Sequence, residues 1–206
     1  MTKSGDVRGN DAIGGMAGTL YSNGLVTNCY ATGVVKGSSS VGGVAGNVYG
    51  KIANCYATGE VIGDSFDVGG VAGNVNGGSV RNCAALNPAI TRTSGYDAYV
   101  RFNRIAGGYG SYDNLENNVA WRGMTVMGDL VNSFNADSNN GADISADNAT
   151  DLATYAYTGT EKLGWKFGDD NDNPWKWDPW QWGGKIYMLP ILYWQTSTPE
   201  MPEHLQ

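Results

Sequence analysis

The sequence predicts an all-β chain, a right-handed parallel β-helix of about four coils with an aromatic-rich C-terminal cap. Three observations predict it. The run Asn28-Cys29-Tyr30-Ala31-Thr32-Gly33 recurs as Asn54-Cys55-Tyr56-Ala57-Thr58-Gly59 and, altered, as Asn82-Cys83-Ala84-Ala85. It recurs in step with the quartets Gly15-Met16-Ala17-Gly18, Gly43-Val44-Ala45-Gly46 and Gly70-Val71-Ala72-Gly73. A period near ~27 residues is that of a solenoid, in which a unit too short and too Gly-rich to bury a core alone must stack on its neighbours.

The elements follow in chain order. Val41 to Val68 spans 27 positions, Ile13 to Val41 spans 28, and the three cysteines are 26 and 28 apart, slips that belong in turns. Within a unit the apolar pattern is that of short strands, Val41-Gly42-Gly43-Val44-Ala45, Gly50-Lys51-Ile52, Cys55-Tyr56-Ala57 and Glu60-Val61-Ile62, with no room for an amphipathic helix. A degenerate fourth unit matches Ile105-Ala106-Gly107 to Val71-Ala72-Gly73 and Asn118-Val119-Ala120-Trp121 to Asn82-Cys83-Ala84-Ala85. This alignment puts Val119 in the cysteine position.

Parallel coils stack equivalent residues about 4.8 Å apart, so each repeated position becomes a ladder. Val26, Ile52 and Val80 are expected to point inward, as are Cys29, Cys55 and Cys83, then Ala31, Ala57 and Ala85. Asn28, Asn54, Asn82 and Asn118 are expected at a bend, each amide bonding to its counterpart in the next coil. Tyr30 and Tyr56 alternate with the inward cysteines and are expected to stack outside, as a structural ladder or as a sugar-binding pair. The cysteines lack the close pairs of a zinc site, and the single histidine, His204, lies in the tail. Their expected separation also exceeds the Cβ distance of about 3.8 Å that a disulfide prefers, which points to buried free thiols.

Composition narrows the function classes. Glycine supplies 31 residues, about twice the usual share of ~7%, as frequent tight turns require. A net charge of −7 with only 13 Lys and Arg offers no basic stripe, so nucleic acid is not an expected partner. No run approaches the ~20 apolar residues of a membrane helix, and the first residues lack the apolar core of a signal peptide. Ser4-Gly5-Asp6-Val7-Arg8-Gly9 aligns with Thr58-Gly59-Glu60-Val61-Ile62-Gly63, so the chain is expected to start within a repeat, as a C-terminal fragment of a larger parent protein.

Two regions are expected, 1–128 for the repeats and 129–206 for a linker and capping region. Six of the seven tryptophans lie between Trp165 and Trp194. An open solenoid end exposes unpaired strand edges, so Leu163 to Trp194 is the expected cover, with Pro190 breaking its last strand. The cluster Trp175, Trp177, Trp180 and Trp182 is alternatively a carbohydrate platform, since sugar C–H faces stack on indoles. The run Asp169 to Asn173, and Asp137, Asn139, Gly141 and Asp143, offer oxygen ligands to calcium or form solvated turns; no other cofactor or metal is expected.

The Gly-x-x-Gly quartets followed by Asn-Cys-Tyr-Ala-Thr-Gly resemble the GLUG motif, with Met16, Val44 and Val71 in place of its leucine. The resemblance covers roughly residues 3 to 128. It implies a large secreted or surface protein of bacteria, of the kind found among adhesin-like proteins and immunoglobulin A peptidases of gut Bacteroidetes. The peptidase activity does not carry over, because the His-Glu-x-x-His signature is missing from this sequence. The expected function is therefore a non-catalytic structural and adhesive module, extracellular or on the bacterial surface, whose partners are a host or matrix protein or glycan. The alternatives are a glycan-binding module using the C-terminal tryptophans and a polysaccharide lyase or hydrolase.

Overall fold

A computed structural model describes residues 5–93, 101–109, 114–159, 162–177, 180–182, 185–187, 189–196 and 199–206. The chain is all-β with parallel sheets, apart from short helices near its C-terminus. Five parallel sheets are visited in fixed order, and we call one visit to all five a round. Round one runs through Val7–Arg8, Asp11–Gly14, Ala17–Leu20, Leu25–Thr27 and Tyr30–Ala31. Round two runs through Val35–Lys36, Ser39–Gly42, Ala45–Val48, Lys51–Ala53 and Tyr56–Ala57, each strand parallel to its counterpart in round one. Round three (Val61–Gly63 to Ala84–Ala85) and round four (Ala89–Arg92 to Val119–Trp121) add one strand to every sheet in turn.

The register turns the repeat into rows of like residues. Val41 pairs with Val68, Val48 with Val75, Ile52 with Val80 and Ala57 with Ala85, and all are buried. Cys55 and Cys83 are buried free thiols whose Sγ donates to the carbonyls of Ala53 and Arg81, and Cys29 repeats the bond to Thr27 at the half-buried start of the row. Thr27, Ala53 and Arg81 thus offer each thiol the same local acceptor. These rows make one apolar interior running through the rounds.

The bend before each cysteine requires a left-handed residue. Asn28, Asn54, Asn82 and Asn117 have φ of 52°, 54°, 52° and 52°, a conformation asparagine tolerates better than most residues. Asn54 Nδ2 donates to Asn28 Oδ1 at 3.3 Å, and Asn117 Nδ2 to Asn82 Oδ1 at 2.8 Å. In the fourth round the row is therefore held by Asn117 and not by Asn118. Val119 pairs with Ala84, which moves Asn118 into the cysteine row, fully buried, where it accepts from Cys83 N–H and donates to Val80 carbonyl. A buried amide here, in round four, satisfies backbone groups of round three.

The end of the stack is closed by polar chain, not by the tryptophans. In successive rounds one carbonyl accepts two N–H groups: Val71 O from Val44 and Ala45, and Ile105 O from Val71 and Ala72. Asn139 O repeats this, accepting from Ile105 at 2.8 Å and Ala106 at 3.2 Å. Ala136 O accepts from Asn118 and the Asp137 carboxylate from Asn117, after which Ala142–Ile144 joins the fifth sheet as its last strand. The parallel ladder thus continues beyond residue 128. The polar run 132–143 supplies the acceptors that a further round would have supplied.

Beneath this cover lies Arg104. It occupies the row of Gly43 and Gly70, where a Cβ on Gly43 would meet the Ala57 Cβ at 2.7 Å, so the position faces the interior. The Arg104 side chain is fully buried; Nε donates to Asn140 O, and Nη2 donates to Gly141 O and pairs with the Asp143 carboxylate at 2.6 Å. Nη1 has no partner among the described residues.

Candidate functional site

Four of the residues that sequence singled out as binding candidates, Tyr30, Tyr56, Trp175 and Trp177, gather on one face. Tyr30 and Tyr56 lie opposite each other on the outer side of the fifth sheet, rings parallel within 3° and 4.9 Å apart. From the third round the row holds Ala84, Val119 and Ala142, and the loss of the large ring leaves a recess. The C-terminal region fills it. Trp165 stacks on Trp175 at 4.6 Å, and both approach Tyr56, at 6.3 Å and 6.0 Å.

Each ring also carries a polar tether to the repeats. Trp165 Nε1 donates to Asn82 O at 2.8 Å, and Trp175 Nε1 to Asn28 Oδ1 at 3.1 Å, so the asparagine row that links rounds also seats the indoles. Tyr56 hydroxyl donates to Pro190 O, Gln195 Nε2 to Tyr30 hydroxyl, and Asn117 Nδ2 to Lys162 O. Contacts with Asn28, Tyr56, Asn82 and Asn117 span all four rounds. The aromatic region therefore runs along the flank of the stack instead of capping its end, whose backbone is already hydrogen-bonded to residues 132–143.

That placement decides what the aromatic rings can do. Tyr56 and Trp175 have no exposure, and Tyr30 and Trp177 are half-buried. Two short helices, α1 (Ala146–Ala149, capped by Ser145) and α2 (Leu152–Ala156, capped by Asp151), bring Tyr155 against Trp165 at 4.9 Å and Trp177 at 5.9 Å. Burial pushes the Tyr56 and Tyr155 hydroxyls well above their ordinary pKa. The backbone of Trp180–Trp182 pairs antiparallel with Lys185–Tyr187, but the side chains of Trp180 and Trp182 lie outside the described residues. Leu189 and Pro190 lie outside any strand, and Ile191–Leu192 pairs antiparallel with Trp175–Lys176.

Sequence reasoning did not single out Trp194 as a binding residue. Trp194 is 59% exposed, set edge-on to Tyr193 at 5.0 Å, and the Tyr193 hydroxyl donates to Asn171 Oδ1. Its neighbour run Asp169 to Asn173 folds on itself: Asp170 Oδ1 accepts from the N–H groups of Asp172 and Asn173, and these bonds hold its carboxyl below the usual range. In the other oxygen-rich run Asp143 faces Arg104 and Asp137 holds Asn117 N–H. Among the described residues no three acidic, His or Cys side chains gather to hold a metal ion.

A groove of about 900 Å³ lies where the tail crosses the bends after the fifth sheet, lined by Asp6, Thr32, Thr58, Glu200, Glu203 and His204 among others. His204 packs on Trp121 at 4.7 Å, and its Nε2 lies 2.7 Å from Leu86 O, the distance of a donated N–H bond. Burial holds its pKa below the ordinary 6.5, opposed by that bond. The unfolded chain therefore takes up a proton as pH falls through about 6.5, before the folded chain does, and stability falls with it. Thermal melts at descending pH are expected to show this loss below pH 6.5 and a smaller loss in His204→Asn; equal slopes in both would refute it.

The GLUG motif family matches residues 37–62. The chain carries the GLUG motif. The matched span enters at Gly37, takes in the last four strands of round two and ends at Ile62 in the first strand of round three, so it visits each of the five sheets once. No curated protein and no solved structure gives a significant match. The matched span contains the Gly43-Val44-Ala45-Gly46 quartet, whereas round four has Arg104 where round two has Gly43. No helix among the described residues is long and apolar enough to cross a membrane.

Proposed function

We propose that this chain is a non-catalytic adhesive and structural module of an extracellular or bacterial cell-surface protein, wound as a right-handed parallel β-helix. Handedness follows from the preference of parallel crossover connections, which are right-handed in nearly all cases. The observation that carries the functional reading is the repetition of shallow outward rows. Thr19, Asn47 and Asn74 align on one sheet, opposite in sense to the buried Leu20, Val48 and Val75. Such rows offer many small polar contacts along an extended face, suited to a host or matrix protein or glycan.

A second reading, glycan binding, rests on Trp194, whose open indole stands beside Tyr193 and the amide of Asn171. Neither reading requires calcium or another cofactor. The test is a screen of the immobilised chain against matrix proteins and glycans, with Asn47→Lys/Asn74→Lys and Trp194→Ala as folded variants. Protein binding lost in the asparagine variant supports the adhesive reading, and glycan binding lost in Trp194→Ala supports the second. Release of new reducing or unsaturated ends from a polysaccharide, or no binding at all, would overturn both.

A further inference from the structure

Three asparagines of this chain precede glycine, Asn23, Asn76 and Asn140, and the fold holds them differently. An Asn-Gly pair is open to intramolecular attack, because glycine has no Cβ to keep its backbone nitrogen away from the amide carbon of the preceding side chain. The attack needs a free nitrogen and a side chain free to turn. At Asn23 the Gly24 N–H donates to Tyr21 O at 2.7 Å, and a Cβ on Gly24 would meet Leu20 Cδ1 at 2.5 Å. At Asn140 the Gly141 N–H donates to Ser138 O at 3.1 Å, while Asn140 Oδ1 accepts from Arg104 N–H at 3.2 Å. Both pairs are held in place.

Asn76 differs on each count. Val48 pairs with Val75 and Lys51 with Ser79, so the turn between them holds Tyr49 and Gly50 in round two but Asn76, Gly77 and Gly78 in round three. The extra residue finds no carbonyl in the round before it: among the described residues Gly77 N–H donates to nothing, and the Asn76 side chain has no hydrogen bond. Both residues are exposed, and nothing lies within 4 Å of a Cβ built on Gly77, whose φ is +78°. On either side, Asn76 N–H and Ser79 N–H donate to Val48 O and Gly50 O. The turn is thus anchored at its ends and open at its centre, and round three has rounds two and four of this same chain beside it.

We propose that Asn76 is a site of spontaneous deamidation. The Gly77 nitrogen loses its proton to hydroxide and attacks Asn76 Cγ. The N–Cγ bond forms, the Cγ–Nδ2 bond breaks, and the departing nitrogen takes a proton from water and leaves as ammonia, giving a succinimide. Water then opens the ring at either carbonyl carbon, leaving aspartate or isoaspartate. Either product sets a new carboxylate close to the outward row of Asn47 and Asn74, and isoaspartate also adds a main-chain carbon to the turn. The site rests on the chemistry of one peptide bond and not on the adhesive reading.

The test is incubation of the folded chain at mildly alkaline pH, followed over time by peptide mass mapping. Asn76 is expected to gain the mass of an amide-to-acid change at least about tenfold faster than Asn23 or Asn140, whose glycine nitrogens must first be released by local opening. In urea the three are expected to convert at similar rates. Aspartate and isoaspartate should both appear at Asn76, separable although equal in mass. Asn76→Ser, which alters only an exposed turn residue, should remove most of the early mass gain of the whole chain, with circular dichroism and a melting curve establishing its fold. Asn76 converting no faster than the other two in the folded chain, a ranking that persists in urea, aspartate without isoaspartate, or an early mass gain undiminished in Asn76→Ser would each overturn the proposal.

Discussion

Replacing Asp143 by alanine is expected to cost about 3–5 kcal/mol, the usual effect of stripping one partner from a buried ion pair. Arg104 is fully enclosed, and its guanidinium meets Asp143 at 2.6 Å under the segment that closes the stack. Burial lowers the Arg104 pKa and the carboxylate opposes that shift, so without Asp143 a buried cation is left with only the carbonyls of Asn140 and Gly141 as acceptors and Nη1 already unpartnered. At this chain length each kcal/mol is worth roughly 2–4 °C in melting temperature, so a fall of about 10 °C is expected. Arg104→Met in the Asp143→Ala background should recover most of it, because an apolar side chain of similar length fits an interior position without demanding a counter-charge. Urea or thermal unfolding of both variants checks this. A loss under about 1 kcal/mol in Asp143→Ala, or no recovery in the double variant, would show that the pair does not hold the cover.

Arg104 also shows where sequence is legible and where it is not. The rows of rounds one to three can be read because identical residues recur at positions that face the same way: three cysteines with the same carbonyl acceptor, three alanines behind them, three asparagines at φ near 52°. The pattern weakens where the stack ends, since residues there must satisfy an end instead of a neighbour. Asn118 resembles the asparagine row but sits one position on, in the cysteine row, where its buried amide bonds Cys83 N–H and Val80 O of the round before it. Residues 132–143 read as a polar linker with calcium-like spacing, and nothing local distinguishes a ligand carboxylate from one aimed at a distant arginine. The aromatic region was legible as a cover but not as to what it covers. Its position follows from Tyr30 and Tyr56 giving way to Ala84, a change of volume whose meaning depends on which rounds are adjacent.

Trp175→Ala is expected to release the C-terminal flank while leaving the parallel ladder folded. The ring is fully buried, stacks on Trp165, and its N–H is bonded to Asn28 Oδ1. Truncating a buried tryptophan costs about 3–5 kcal/mol through lost transfer energy and the cavity left behind. The cost falls unevenly, because the first core is built from the repeat rows and the second from the flank packed on Tyr56, Ala84 and Val119. Local opening of the flank is therefore expected before global unfolding. Limited proteolysis should cut the variant within the C-terminal third and leave the repeats as a resistant fragment. The far-ultraviolet β signal should persist. Trp175→Phe separates the two contributions, since it keeps most of the buried ring and loses only the bond to Asn28, worth about 1 kcal/mol. If Trp175→Ala melts in one step with its repeats cut as fast as its flank, the two cores are one cooperative unit. The flank would then be holding the stack, and the asparagine row at Asn28 and Asn82 would be the place where that support enters.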